Sequence, residues 1–444
     1  WVLNRDSGAM APTGPVFALT EDQELLRREV RRFAEERIAP GVAERDRAHR
    51  FPAEIVAEMA GLGLLGMMVE EEHGGSGADL LTYLLAVEEL ARICPATAVT
   101  MTVSNSVCCW PITQFGSAEL KRQALPELAA GALGAFGLTE PGSGSDPASL
   151  RTSARRDPAG AGPEESRDWL LSGEKAWITN AGLARWIVVV ARTDPAAGKR
   201  GLTAFAVRGD APGFRVGPVE EKLGLRASHT AAIHLDDCRV PAGQILGRPG
   251  EGLKIALATL AHSRLGIAAQ AVGIHQRALE LAVGYARERV QFGVPIAQHQ
   301  AIRFRIAQMA TDLAAARLLT WRAALAADPR STDAGTGGSG TTPDAGGAGS
   351  AGGAGGAPGR HDGASHGGGG GAGRDAGRLA AEAKLFASEA ANRACQDSLQ
   401  IHGGNGFHDD YEISRLYRDV RVTTIYEGTS EMQRLVIARD LLRA

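Results

Sequence analysis

At 444 residues, 44% apolar and 22% charged, the chain is long enough for two or three domains with a substantial core. Its formal net charge of -3 is spread over both signs with no basic stripe or acidic tail, which argues against nucleic acid or an anionic membrane surface as the main partner. No run approaches roughly 18 continuous apolar residues and no signal-peptide pattern opens the chain, so a soluble cytoplasmic protein is expected.

The chain starts at Trp1, and Met10 opens "MAPTGPVFALTEDQ", so residues 1–16 read as an upstream or disordered segment. From there helix signals alternate with turns. Thr20-Glu21-Asp22-Gln23 has the pattern of a capping box; Leu25, Leu26, Val30, Phe33, Ala34 and Ile38 follow at 3-to-4 spacing, and Pro40 ends the run. Similar patterns over Pro52–Leu65 and Leu80–Ile93 make residues 17–135 an all-α N-terminal domain.

Residues 136–248 change character. Runs such as "WLLSGEKAWITNAGLARWIVVVART" and "TAAIHLDDCRVP" are β-branched or alternating and are divided by Gly, Pro, Asn and Asp, which predicts an antiparallel β domain. Helical periodicity returns over 252–287, 301–327, 378–402 and from Ser430 onward, so residues 249–444 read as a C-terminal four-helix bundle. Interrupting it, residues 331–377 hold about twenty of the 57 glycines and almost nothing to bury, the composition of a disordered insertion. His361 and His366 within it are poor metal ligands unless that loop folds around an ion. The five cysteines include no C-x-x-C pair, so reduced thiols and no metal centre are expected.

Three stretches carry chemistry. "FGLTEPGSGSD", 136–146, offers close-approach glycines and hydroxyls suited to a phosphate, but Pro147 and the absence of a βαβ pattern exclude a dinucleotide fingerprint. "KAWITNAG", 175–182, places Trp177 two residues before Thr179, a flat apolar face beside a hydroxyl; read alone, Trp177 is a core residue. In "TTIYEGTSEMQRLVIAR" a carboxylate, Glu427, lies between a β-like run, Val422–Tyr426, and the start of a helix, where an ordinary surface acid also fits.

In this order the stretches, with "EKLGLRASHT", "RERVQFG" and "QIHGGNGF", resemble the acyl-CoA dehydrogenase family, most closely its short-chain, butyryl-type members, from about Leu19 to Ala444 apart from the Gly-rich insertion. The resemblance implies an N-terminal helical domain, a middle β domain, a C-terminal bundle and bound FAD. Phe136, Leu138, Thr139, Gly144 and Ser145 would line the flavin and pyrophosphate, with Trp177 over the ring and Ile178 and Thr179 at flavin N5. Arg289, Phe292 and Gln300, with Gln400, Ile401, His402, Gly403 and Gly404, would contact the adenosine half across a subunit interface of a homotetramer, and Thr429, Ser430 and Glu431 would complete the flavin contacts.

Glu427 then corresponds to the family's catalytic base, which removes the α-proton of an acyl-CoA thioester while the β-hydrogen leaves as hydride to flavin N5, giving a trans-2-enoyl-CoA. Gly428 would let the thioester approach, and Ser145, Arg264 and the segment Ala261, His262 and Ser263 would lie on the substrate side. Isovaleryl-CoA dehydrogenase-like members carry their base just before the bundle arginine; here Ser263 holds that place. Short-chain members commonly carry Asp at the position of Ala261, a departure that bears on Arg264. Electron-transferring flavoprotein is the implied acceptor. An acyl-CoA oxidase, an enoyl-CoA reductase and a non-catalytic flavoprotein or CoA-binding scaffold remain the alternatives on this fold.

Overall fold

The computed structural model describes residues 18–160, 163, 167–328 and 372–442. The N-terminal segment and nearly all of the Gly-rich insertion, with His361 and His366, lie outside the described residues. The N-terminal domain comprises α1 (Glu21–Phe33), α2 (Val42–Arg47), α3 (Ala53–Gly61), α4 (Leu80–Ile93), α5 (Pro95–Thr102), α6 (Trp110–Phe115) and α7 (Ala118–Ala129). The capping box at Thr20 forms as expected: its hydroxyl accepts from Gln23 N–H at 3.2 Å, and its own N–H donates to Gln23 Oε1 at 3.1 Å. The helix expected to reach Ile38 instead widens into a π-turn over Ala34–Ile38 before Pro40.

The middle domain holds β1 (Leu133–Gly137), β2 (Ser153–Arg156), β3 (Trp169–Thr179), β4 (Ala184–Arg192), β5 (Leu202–Arg208), β6 (Phe214–Val219), β7 (Thr230–Val240) and β8 (Ile245–Leu246). They order as β6-β7-β3-β2-β4-β5-β8, with β1 beside β4. Most neighbours are antiparallel as expected, but β1 runs parallel to β4, and β2 touches β4 in a parallel bridge. β4 is buried along nearly its whole length, which is why its sequence is a continuous apolar run rather than an alternation.

The bundle comprises α8 (Gly252–Glu288), the hairpin β9 (Val290–Gln291) and β10 (Val294–Pro295), α9 (Gln300–Ala327), α10 (Ala372–His402), α11 (Glu412–Val420) and α12 (Ser430–Leu441). α10 starts inside the span assigned to the insertion, and α11 has no counterpart in the expected elements. By length and composition α8 is also apolar enough to cross a membrane, yet 72% of its apolar window is buried in the protein. Its apolarity is that of a core helix: residues of α8, α9 and α10 share one continuous core with α1, α3 and α4.

One local expectation is overturned. Val422–Tyr426 is not a strand; Arg421–Thr424 forms a 3₁₀ turn in which Thr423 donates to Val420 O at 2.7 Å and accepts from Asn392 Nδ2 at 3.2 Å. The buried threonine finds its partner locally, so β-branched propensity loses to a side-chain bond that bends the chain.

Candidate active site

Glu427 sits between that turn and α12 with φ 53°, and Gly428 follows with φ 89°. A left-handed conformation in a residue with a side chain costs on the order of 1–3 kcal/mol and persists only where the surroundings hold it. Here they do. Gln433 Nε2 donates to the Gly428 carbonyl at 2.8 Å and to the Glu427 carbonyl at 3.3 Å, and Lys384 Nζ, from α10, donates to the Gly428 carbonyl at 2.7 Å. The left-handed φ at residue 428 favours glycine, and a Cβ there would also displace the tip of Gln433, 2.7 Å away at Nε2. Thr429 caps α12, accepting from Met432 N–H at 3.3 Å, and fixes where the helix begins.

The side chain of Glu427 points toward α8, where the Ser263 hydroxyl donates to its Oε2. Arg264, 8% exposed, lies beside it, with Nε buried and unpartnered. Burial raises the Glu427 pKa above the ordinary carboxylate value, and Ser263, Arg264 and Lys384 oppose this without cancelling it. The result is a carboxylate that is desolvated, hence basic, yet flanked by groups that favour its charge. Among the described residues no acceptor in the chain meets the Glu427 N–H. The neighbouring His262, half-buried, stacks on Trp110, rings 4.6 Å apart and nearly parallel, and desolvation takes its pKa down to about 4. A neutral histidine there offers an apolar ring rather than a charge.

A second cluster forms on the sheet. The pairing of β3 with β7 slips between Lys175 and Ile178, and Trp177 at the slip has φ 62° and is 61% exposed. Such a bulge re-aims a side chain, and it turns Trp177 out of the core it would otherwise join. The same bulge lets Ala176 N–H donate to Thr139 O at 2.9 Å, joining "KAWITNAG" to the loop "GLTEPGSGSD". Beneath that loop Glu140 and Lys175 form a buried ion pair at 2.7 Å, and Glu140 also accepts from Arg151 and Thr152 N–H. Gly144 and Ser145 remain exposed, with open space around Gly142 and Gly144. Phe136, Leu138 and Ile178 pack on the cores flanking the sheet, so a ligand over this surface meets Leu138 and Ile178 through backbone, while Thr139 and Thr179 are half-buried at its edge. Asn180 Nδ2 donates to Thr100 O and Gly134 O, at 3.2 and 3.0 Å, and ties this cluster to α5 beside α8.

The third cluster is elsewhere. Phe292, with φ 54° and 93% exposed, stands at the tip of the β9–β10 hairpin with Gly293, and Arg289 and Gln300 are exposed on either side. His402 stacks on Tyr285 at 4.3 Å, which brings the exposed Gln400, Gly403 and Gly404 and the buried Ile401 to this end of the bundle. From Lys384 to His402 along α10 is roughly 27 Å at 1.5 Å per residue, so the third cluster lies at the far end of the bundle from Glu427. Thr429, Ser430 and Glu431 stay with Glu427, Ser430 buried with its hydroxyl unpartnered and Glu431 exposed in the first turn of α12. Lys384, Gln433, Glu140 and Lys175 went unnoticed in the sequence. A lysine amid alanines in "AAEAKLFASEAA" and one at an inward strand position were the available signals.

Comparison with known proteins bears on the family and the fold. Family models for the N-terminal, middle and C-terminal domains of acyl-CoA dehydrogenase match residues 20–132, 135–238, and 250–339 with 369–442. The human mitochondrial short-chain specific acyl-CoA dehydrogenase is 43% identical over 427 residues, covering 96% of this chain and 91% of that protein. Butyryl-CoA dehydrogenase from Megasphaera elsdenii superposes with a TM-score of 0.83 at 37% identity, covering 96% of this chain and all of the other. A chain from a structure of the electron transferring flavoprotein of Acidaminococcus fermentans also gives 0.83, at 38% identity and with the same coverage.

Proposed function

The chain belongs to the acyl-CoA dehydrogenase family, whose members are FAD-dependent oxidoreductases, and from that premise we propose that it desaturates a short-chain or short branched acyl-CoA to the trans-2-enoyl-CoA with Glu427 as the base. The observation that carries this reading is the environment of Glu427: a desolvated carboxylate, held in a left-handed turn, against a hydroxyl donor and two buried cations. An α-proton is a weak acid, so its removal needs a base of raised pKa and a donor on the thioester carbonyl. The unsatisfied Glu427 N–H suits that second task.

The residues present fit FAD. Exposed Trp177 and half-buried Thr179 offer a face and a donor to a planar ring, and the open Gly142–Gly144 loop offers backbone amides to a pyrophosphate. When bound, FAD supplies the acceptor for the β-hydrogen, which leaves as hydride. The third cluster lies too far along the bundle to share that site within one chain; a homotetramer in which Arg289, Phe292, Gln300 and residues 400–404 reach a neighbour's cofactor accounts for it and for the exposure of Phe292. Electron-transferring flavoprotein is the electron acceptor in this reading. The test is anaerobic titration of the yellow holoprotein with a graded acyl-CoA series: bleaching greatest near four carbons supports it, and a flavin that no acyl-CoA bleaches overturns it.

A further inference from the structure

Lys384 is fully buried within α10, surrounded by Ala380, Ala383, Ala387 and Ser388, themselves buried. Burying an ammonium carries a penalty of several kcal/mol, normally offset by a carboxylate in contact. Among the described residues Lys384 has no such ion pair: its hydrogen bond goes to the carbonyl of Gly428, the residue following Glu427. A methionine would fill the same space without that penalty, so packing does not explain the residue. The charges facing it do. Glu427 is its foremost charged neighbour, followed by Arg264 on α8, Glu389 on its own helix and Glu431 on α12. Glu427 in turn faces Ser263 and Arg264 on α8 and Lys384 on α10, while the hydroxyls of Tyr83 on α4 and of the adjacent Tyr426 feel its charge.

We propose that Lys384 is the positioning residue of the base: its ammonium clamps the Glu427–Gly428 turn through the Gly428 carbonyl, and its charge keeps the desolvated Glu427 carboxylate ionised. The inference rests on Glu427 being the base. The geometry gives the lysine two functions at once. Gln433 already holds both carbonyls of the turn from the α12 side, so the clamp is shared, whereas among the described residues the charge is shared with Arg264. Burial alone would push Glu427 toward the neutral acid, which cannot accept a proton; the two cations oppose that push. The influence is reciprocal: burial takes Lys384 down to about 8, and Glu427 is foremost among the carboxylates that oppose that fall.

The experiment compares the pH dependence of flavin reduction by a short acyl-CoA in wild-type holoprotein, Lys384→Met and Lys384→Gln. Removing the cation should move the acidic limb of the rate upward by about one pH unit, an opposite-charge effect of ordinary size, so that on that limb the rate falls roughly tenfold. FAD content and melting temperature should stay near wild type. A folded, FAD-loaded variant with an unmoved limb overturns the proposal, because loss of packing alone changes rate without moving the profile. If neither variant folds, the coupling is read from the other side, by NMR titration of lysine side chains in wild type and Glu427→Gln: Lys384 should titrate at lower pH in the variant, and an unchanged titration overturns the proposal. A wild-type flavin that no acyl-CoA reduces defeats the proposed function instead, and the lysine titration still reads the Lys384–Glu427 coupling.

Discussion

The hydroxyl of Ser263 on α8 donates to the carboxylate of Glu427, 164 residues further along the chain. In the sequence Ser263 marks the absence of an alternative base and a place on the substrate side; in the fold it is a direct partner of Glu427. Ser263→Ala removes a donor that favours the charged carboxylate, so the Glu427 pKa rises further and the acidic limb of flavin reduction moves to higher pH. The expected displacement is about one unit, matching a hydrogen bond to a charged group worth roughly 1.5 kcal/mol. The pH profile of the anaerobic reduction rate checks it.

Glu427→Gln should retain FAD and acyl-CoA binding and lose at least the roughly 10²- to 10⁴-fold that general acid–base catalysis contributes, all of it in flavin reduction. Glu427→Asp, shorter but still charged, should fall between. The same Gln substitution should raise the melting temperature at neutral pH. The folded-state pKa of Glu427 is raised, so ionised Glu427 destabilises the native state above that pKa, and the penalty vanishes below the unfolded carboxylate value of about 4.3. The stability gain should therefore shrink as pH falls; melting curves at several pH values would show a constant gain if this account fails.

Trp177→Ala should leave the stability of the apoprotein within about 0.5 kcal/mol, as expected for an exposed side chain. FAD affinity should fall clearly, because the proposed cover of the ring is gone. Equilibrium unfolding of the apoprotein and FAD titration separate the two effects; a large loss of apoprotein stability with unchanged FAD affinity would assign Trp177 to packing instead.

Lys175→Met strands Glu140 under the "GLTEPGSGSD" loop and should cost about 3–5 kcal/mol, the usual consequence of removing one member of a buried pair. Adding Glu140→Gln should recover part of that loss, since an amide oxygen can still accept from Arg151 or Thr152 N–H. Urea unfolding of both variants gives the comparison; equal midpoints would show that the pair is not coupled.

Deleting residues 340–368, which the C-terminal family model passes over, should leave turnover and melting temperature close to wild type. The segment offers almost no apolar side chains, and loop-closure entropy depends only weakly on length. A marked loss of either property would show that the segment contributes to the folded enzyme.

The sequence by itself determined the order of domains, the long bundle helices and the identity of Glu427 as an acid in an unusual place, because apolar periodicity, caps and glycine-bearing turns are local and survive in one dimension. It also placed Trp177 two residues before Thr179, but whether that ring faced core or solvent depended on a slip in the β3–β7 register, which is a property of two strands and not of one. The Val422–Tyr426 stretch misled for a related reason: β-branched residues favour strands only where a partner strand waits, and here Thr423 bonds to Val420 and Asn392 instead. Ser263, Arg264, Lys384 and Gln433 come from three helices, and their convergence on the Glu427–Gly428 turn has no signature in spacing. Only packing α8, α10 and α12 together decided what surrounds Glu427, and those surroundings set how strongly it is desolvated and how far its charge is compensated.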